Sequence, residues 1–81
     1  MQLNGYIVGT TEKSIAFVRN EDAQDGVRPL YIPLSQVLSV YLDEMTAPIK
    51  LHGEKIARRG QVAVVEITDS FAEKIWLLAS A

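Results

Sequence analysis

Gln61-Val62-Ala63-Val64-Val65-Glu66-Ile67 runs directly into Thr68-Asp69-Ser70-Phe71-Ala72-Glu73-Lys74-Ile75-Trp76-Leu77-Leu78. The first seven residues are β-formers in a near-continuous apolar run, the pattern of a strand buried on both faces. The period then changes. Phe71, Ile75 and Leu78 fall at i, i+4 and i+7, one stripe of a helix. Ser70 and Glu73 have the spacing of a capping box, which predicts the helix start there. A helix of some ten residues does not hold alone in water. It therefore has to dock on a sheet, and the rest of the chain has to supply one.

Working back from this junction, the chain reads as short strands with local connections. Leu38-Ser39-Val40-Tyr41-Leu42-Asp43 alternates. This predicts a half-buried strand with Leu38, Val40 and Leu42 inward and Ser39, Tyr41 and Asp43 outward. Pro33-Leu34-Ser35-Gln36-Val37 before it suits a single helical turn. Residues 27–32 read as a strand that Pro29 delays or confines to an edge. At the start, residues 3–10 and 14–19 form two strands joined by Thr11-Glu12-Lys13, a hairpin. Leu3 and Ile7 face one way, Tyr6 and Val8 the other. Gly5 and Gly9 predict bending or close approach of a neighbouring backbone. Between residues 44 and 60, Ile49 and Leu51 alternate with Lys50 and His52, the mark of a further short strand.

The expected fold is therefore mainly β: one small domain over residues 1–81, an antiparallel barrel of five or six strands, SH3-like or OB-like, with one C-terminal helix. Eighty-one residues give a thin core, and with no Cys there is no disulfide or Cys-ligated metal to reinforce it. Closing the sheet would remove its exposed edges.

Three stretches carry a resemblance. They are Gly5-Tyr6-Ile7-Val8 with Thr11-Glu12-Lys13-Ser14-Ile15-Ala16-Phe17, then Tyr31-Ile32-Pro33-Leu34-Ser35-Gln36-Val37, then Val62-Ala63-Val64 with Phe71-Ala72-Glu73-Lys74. Together they resemble a loose group of small phage and prophage proteins that share an Ile-Pro-x-Ser-Gln turn and a short C-terminal amphipathic helix. Leu34 stands where that group commonly has Lys, and Phe71 where it commonly has Trp. The resemblance implies a phage origin and a setting in nucleic-acid metabolism or host takeover. It supplies no catalytic residues.

The residues point away from catalysis. His52 is the only His, and no nucleophile-elbow or phosphate-loop pattern accompanies it. Asp22-Ala23-Gln24-Asp25-Gly26 lacks the spacing and terminal Glu of a calcium loop and reads as a turn. The chain is expected to be non-enzymatic, with no metal or cofactor. No segment reaches the ~18 apolar residues of a membrane span, and the N-terminus has no secretory pattern. The expected location is the cytoplasm of a bacterial host.

Three binding functions follow. The first is an accessory protein acting through a protein partner or through self-association, with Trp76 on the flank of the helix, Leu77 on its polar side among Glu73 and Lys74, and Tyr41 on its strand as the contact residues. The second is a weak single-stranded nucleic-acid binder. Net charge is −2, but residues 1–45 carry net −3 and residues 46–81 net +1. Lys50, His52, Lys55, Arg58 and Arg59 make a local basic patch that a phosphate backbone would contact. Tyr6, Tyr31 and Tyr41 are its candidate stacking residues. The third is a phage inhibitor of a host defence or nucleic-acid enzyme, with Glu21, Asp22, Asp25, Asp43 and Glu44 mimicking phosphates.

Overall fold

The computed structural model describes residues 1–23 and 26–80; for residues 76–80 it describes the backbone alone. Five strands form one antiparallel sheet: β1 (Gln2–Thr10), β2 (Ser14–Arg19), β3 (Leu30–Pro33), β4 (Val37–Ile49) and β5 (Arg58–Ile67). Their order across the sheet is β3-β2-β1-β5-β4. One helix, α1 (Asp69–Ser80), follows. The expected mainly-β chain with a terminal helix is what the molecule has. The sheet curls without closing, so the expected barrel is open and β3 and β4 are its free edges. A single parallel bridge, Val27 to Leu51, ties the segment before β3 to the segment after β4. Around it, the Gly26 N–H donates to Lys50 O and the His52 N–H to Val27 O.

The β1–β2 hairpin forms as its spacing predicts. Thr11 Oγ1 accepts the N–H groups of Lys13 and Ser14, which fixes the tight turn. The first two strands divide their side chains between two cores. Directly opposed residues of antiparallel strands share a face. On one face Leu3, Ile15, Phe17, Ile32, Val65 and Ile67 pack with Ile75 of the helix, flanked by Phe71 and Ala72. On the other, Val8, Ala16, Val18, Ile49 and Leu51 form a smaller core with Tyr6 and Val27. This explains why β2 is buried on both sides, whereas alternation predicts only Ile15 and Phe17 inward.

Close approach is real at Gly5. A Cβ there would overlap the Val18 carbonyl oxygen and lie 2.9 Å from Arg19 Cα. At Gly9 the ladder shifts register instead, between Ile7 and Gly9. Gly60 does for the second core what Gly5 does for the hairpin: a Cβ there would meet Ile49 Cγ1 at 2.8 Å and Tyr6 Cβ at 2.9 Å.

Several expectations need correction. The helix cap is Thr68, not Ser70. Thr68 Oγ1 accepts the Phe71 N–H at 3.2 Å and donates to Gln36 Oε1 at 2.7 Å. The Thr68 N–H also donates to Gln36 O. Gln36 ends the short 3₁₀ turn Leu34–Gln36, so that turn is the anchor of the helix start. The Ser70–Glu73 pairing loses to this longer-range bond, which ties two elements together. Ile49 does not begin a separate strand. It ends β4, which runs thirteen residues with irregularities at 37–39 and 42–46. β5 starts at Arg58, three residues before the expected strand. Its other face, Val62, Val64 and Glu66, is half-buried rather than sealed. β3 begins at Leu30, after Pro29, and lies at an edge, as Pro29 predicts.

Candidate functional site

The largest correction concerns β4. Val40 lies opposite Val65 and Leu42 opposite Ala63, both buried residues of β5. Val40 and Leu42 therefore point to the face that carries α1, as alternation predicts. They are nonetheless exposed, because the helix covers other strands. Leu38 is 63% exposed, Val40 40%, Leu42 53%, Met45 66% and Tyr41 73%. Tyr41 lies opposite Val64 on the other face, outward as expected. Leu38, Val40, Leu42 and Met45 are residues that sequence reasoning misses as surface. Their alternation announces an apolar face, and it carries no information on whether anything covers that face.

The edge is open only in part. After Leu42 the register slips, so that Asp43, Glu44 and Met45 bulge out of the ladder before pairing resumes at Thr46. Asp43 Oδ1 accepts the Met45 N–H at 2.9 Å, and the Asp43 carbonyl accepts from Gln61 Nε2 at 3.1 Å. A bulge, two acids and Pro48 are the devices by which natural sheets block unwanted pairing at an edge. They protect β4 from residue 43 onward and leave residues 38–42 as the accessible segment.

The basic residues do share one place. Arg58 and Arg59 begin β5, opposite Ile49 and Pro48, and Lys50, His52 and Lys55 lie in the connection 50–57. All five are exposed. Arg58 is engaged by Glu54 at 2.8 Å, and Arg59 Nη1 donates to Thr46 Oγ1 at 2.9 Å. Arg28 does not join them: it lines a cleft with Arg19, Asp22 and Ile75. The tyrosines do not join the patch as a platform. Tyr6 is half-buried against the second core, while Tyr31 and Tyr41 occupy opposite edges of the sheet.

The acidic residues are also dispersed. Arg19, Gly5, Ala63 and Leu42 form one row across β2, β1, β5 and β4. Three strand spacings along that row amount to about 14 Å. Glu21 and Asp22 follow Arg19 at one end and are bound by it, at 3.4 and 2.6 Å. Asp43 and Glu44 follow Leu42 at the other. Asp25, Trp76 and Leu77, also expected as site residues, lie outside the described residues or side chains.

Among the described residues, no three His, Cys, Asp or Glu side chains group as metal ligands would. Two surface clefts hold about 230 and 280 Å³. Both fall short of the roughly 300–1,000 Å³ of an ordinary small-molecule site. Among the described residues, no helix is long and apolar enough to cross a membrane. Protein-family models, curated proteins and solved structures were all compared with the chain, and none matches it.

Proposed function

We propose that this chain is a non-enzymatic accessory protein that acts by binding protein through the free edge of β4. The observation that carries the reading is the exposure of Leu38, Val40, Tyr41 and Leu42 side by side on an edge strand paired on one side only. An edge strand offers a row of backbone donors and acceptors, and an added strand satisfies them. Its alternate side chains then supply specificity. A phage setting is adopted from the sequence resemblance alone.

The test is affinity capture from a bacterial lysate with the wild-type chain and with Leu38→Lys/Leu42→Lys as baits. Lysine on an edge opposes strand addition, and both positions are exposed enough to accept it. Species retained by the wild type should be lost by the variant and kept by Arg58→Gln/Arg59→Gln. Identical capture by all three baits would refute an edge-strand site.

A second reading rests on the cations gathered at the β4–β5 hairpin end. A phosphate backbone lying there predicts salt-sensitive retention of a single-stranded oligonucleotide, weakened in Arg58→Gln/Arg59→Gln. No retention at low salt ends that reading.

A further inference from the structure

We infer that the occupant of the β4 edge is a second copy of this chain, paired antiparallel about a two-fold axis at Val40. The inference rests on the reading of β4 as a docking edge and names its partner. A two-fold interface requires a patch complementary to itself. Residues 38–42, Leu-Ser-Val-Tyr-Leu, meet that requirement. With the axis at Val40, Leu38 lies opposite the second copy's Leu42, Val40 opposite its Val40, and Ser39 opposite its Tyr41. Val40 and Leu42 lie on one face of β4, opposite Val65 and Ala63, and Leu38 is the extra residue of the bulge between Val37 and Ser39. The two copies therefore bring Val40 and Leu42 of each chain together on the side that carries α1, with the exposed Leu38 at the margin of the contact. Beside this contact, Val65 and Ile67 already belong to the core, so pairing extends that core across the edge.

Charge selects this register. From Gln36 to Ile49 the only charged residues are Asp43 and Glu44. An axis between them sets each acid opposite the other copy's acid, which is destabilising for directly opposed charges. An axis at Val40 sets Asp43 opposite the neutral Val37. The two Asp43 residues then lie six positions apart along the ladder, about 20 Å. The bulge beyond Leu42 and the ring of Pro48 stop the ladder from running further. An edge without a cation also gives an acidic or nucleic-acid partner nothing to neutralise.

The area places the interface among small ones. A standard interface covers about 800 Å² per partner, roughly one seventh of the 5659 Å² accessible surface of this chain. A five-residue ladder with its side chains falls at or below that size. An interface at the small end of that range fits an association that depends on concentration.

The experiment uses the absence of Cys from the chain. Antiparallel partners have Cα atoms about 4.5–5.5 Å apart, within the range a disulfide spans. Under oxidation Val40→Cys should give a covalent dimer rapidly, and Met45→Cys should not. Sedimentation equilibrium from micromolar to millimolar concentration should show a wild-type dimer that Leu38→Lys/Leu42→Lys loses. Mixing that variant with Leu38→Glu/Leu42→Glu should restore it as a heterodimer, since each Lys then opposes a Glu. A wild-type monomer throughout would overturn the inference. If the Lys variant then still loses its lysate captures, the edge reading stands with another protein as occupant. A dimer that persists in the Lys variant, with the Val40→Cys thiol left unlinked, would overturn the inference by placing self-association on another surface.

Discussion

Gly5→Ala adds one methyl group where β1 crosses β2 most closely. The new Cβ would overlap the Val18 carbonyl oxygen and stand 2.9 Å from both Val18 C and Arg19 Cα. All three are backbone atoms of a central strand, so no side chain can rotate away. A relaxed C···O contact needs about 3.3 Å or more. β1 and β2 would have to separate at the pairs Gly5–Arg19 and Tyr6–Val18. A ladder hydrogen bond does not survive such a stretch. Losing two of them, with their donors and acceptors shielded from water, costs about 3–5 kcal/mol. A domain of this length has roughly 4–12 kcal/mol in total. Gly5→Ala should therefore be largely unfolded, or unfold at a far lower urea midpoint, by far-ultraviolet circular dichroism. Gly9→Ala is the control. A Cβ there finds its nearest atoms at 3.5 and 3.9 Å, and its backbone is not left-handed. That variant should change stability by less than about 1 kcal/mol, with a gain expected from the stiffer unfolded chain. Equal midpoints for the two variants would refute the close approach as the reason for Gly5.

The helix start and the second core give further expectations. Thr68→Ala removes the cap of α1 and its bond to Gln36, and should cost about 1–2 kcal/mol in urea unfolding. Ser70→Ala should stay within about 0.5 kcal/mol; a larger loss at Ser70 than at Thr68 would restore the capping box. Leu51→Ala opens a void beside Val8, Val18 and Ile49 and should cost about 2–5 kcal/mol, read as a lowered melting temperature. Ile56→Ala, at an exposed position of the same connection, should leave that temperature nearly unchanged.

What the residues disclose in advance follows from the range of the interaction that decides each feature. The β1–β2 hairpin is set by three polar residues and two alternating runs, all local, and it forms as read. The change of period after Ile67 places the helix, again from local pattern. Local pattern misplaces its cap because Thr68 gains its partner from Gln36, thirty-two positions away. It also shortens β4, because Pro48 looks like an end, yet on an edge strand a missing N–H costs nothing. The cations of the 50–59 region are legible as neighbours, since one hairpin end holds them. The scattering of tyrosines and acids depends on strand order, which no local pattern encodes.

The exposure of β4 has a simpler origin, in widths. Five strands span four spacings of about 4.8 Å, or roughly 19 Å, while one helix covers about 10–12 Å. A single helix cannot cover such a face. In this chain α1 takes Leu3, Phe17, Val65 and Ile67. The opposite face has no helix, and the sheet meets that need by curling. Gly5 lets the β2 backbone approach, Gly60 leaves room for the side chains of Ile49, Tyr6 and Val8, and Ile49 and Leu51 pack with Val8 and Val18. That solution uses the far end of β4 and leaves residues 38–42 exposed. Val40 and Leu42 thus face the side that carries α1 at an edge that the helix is too narrow to cover. The proposed second copy, paired along residues 38–42, would complete this third apolar surface from outside.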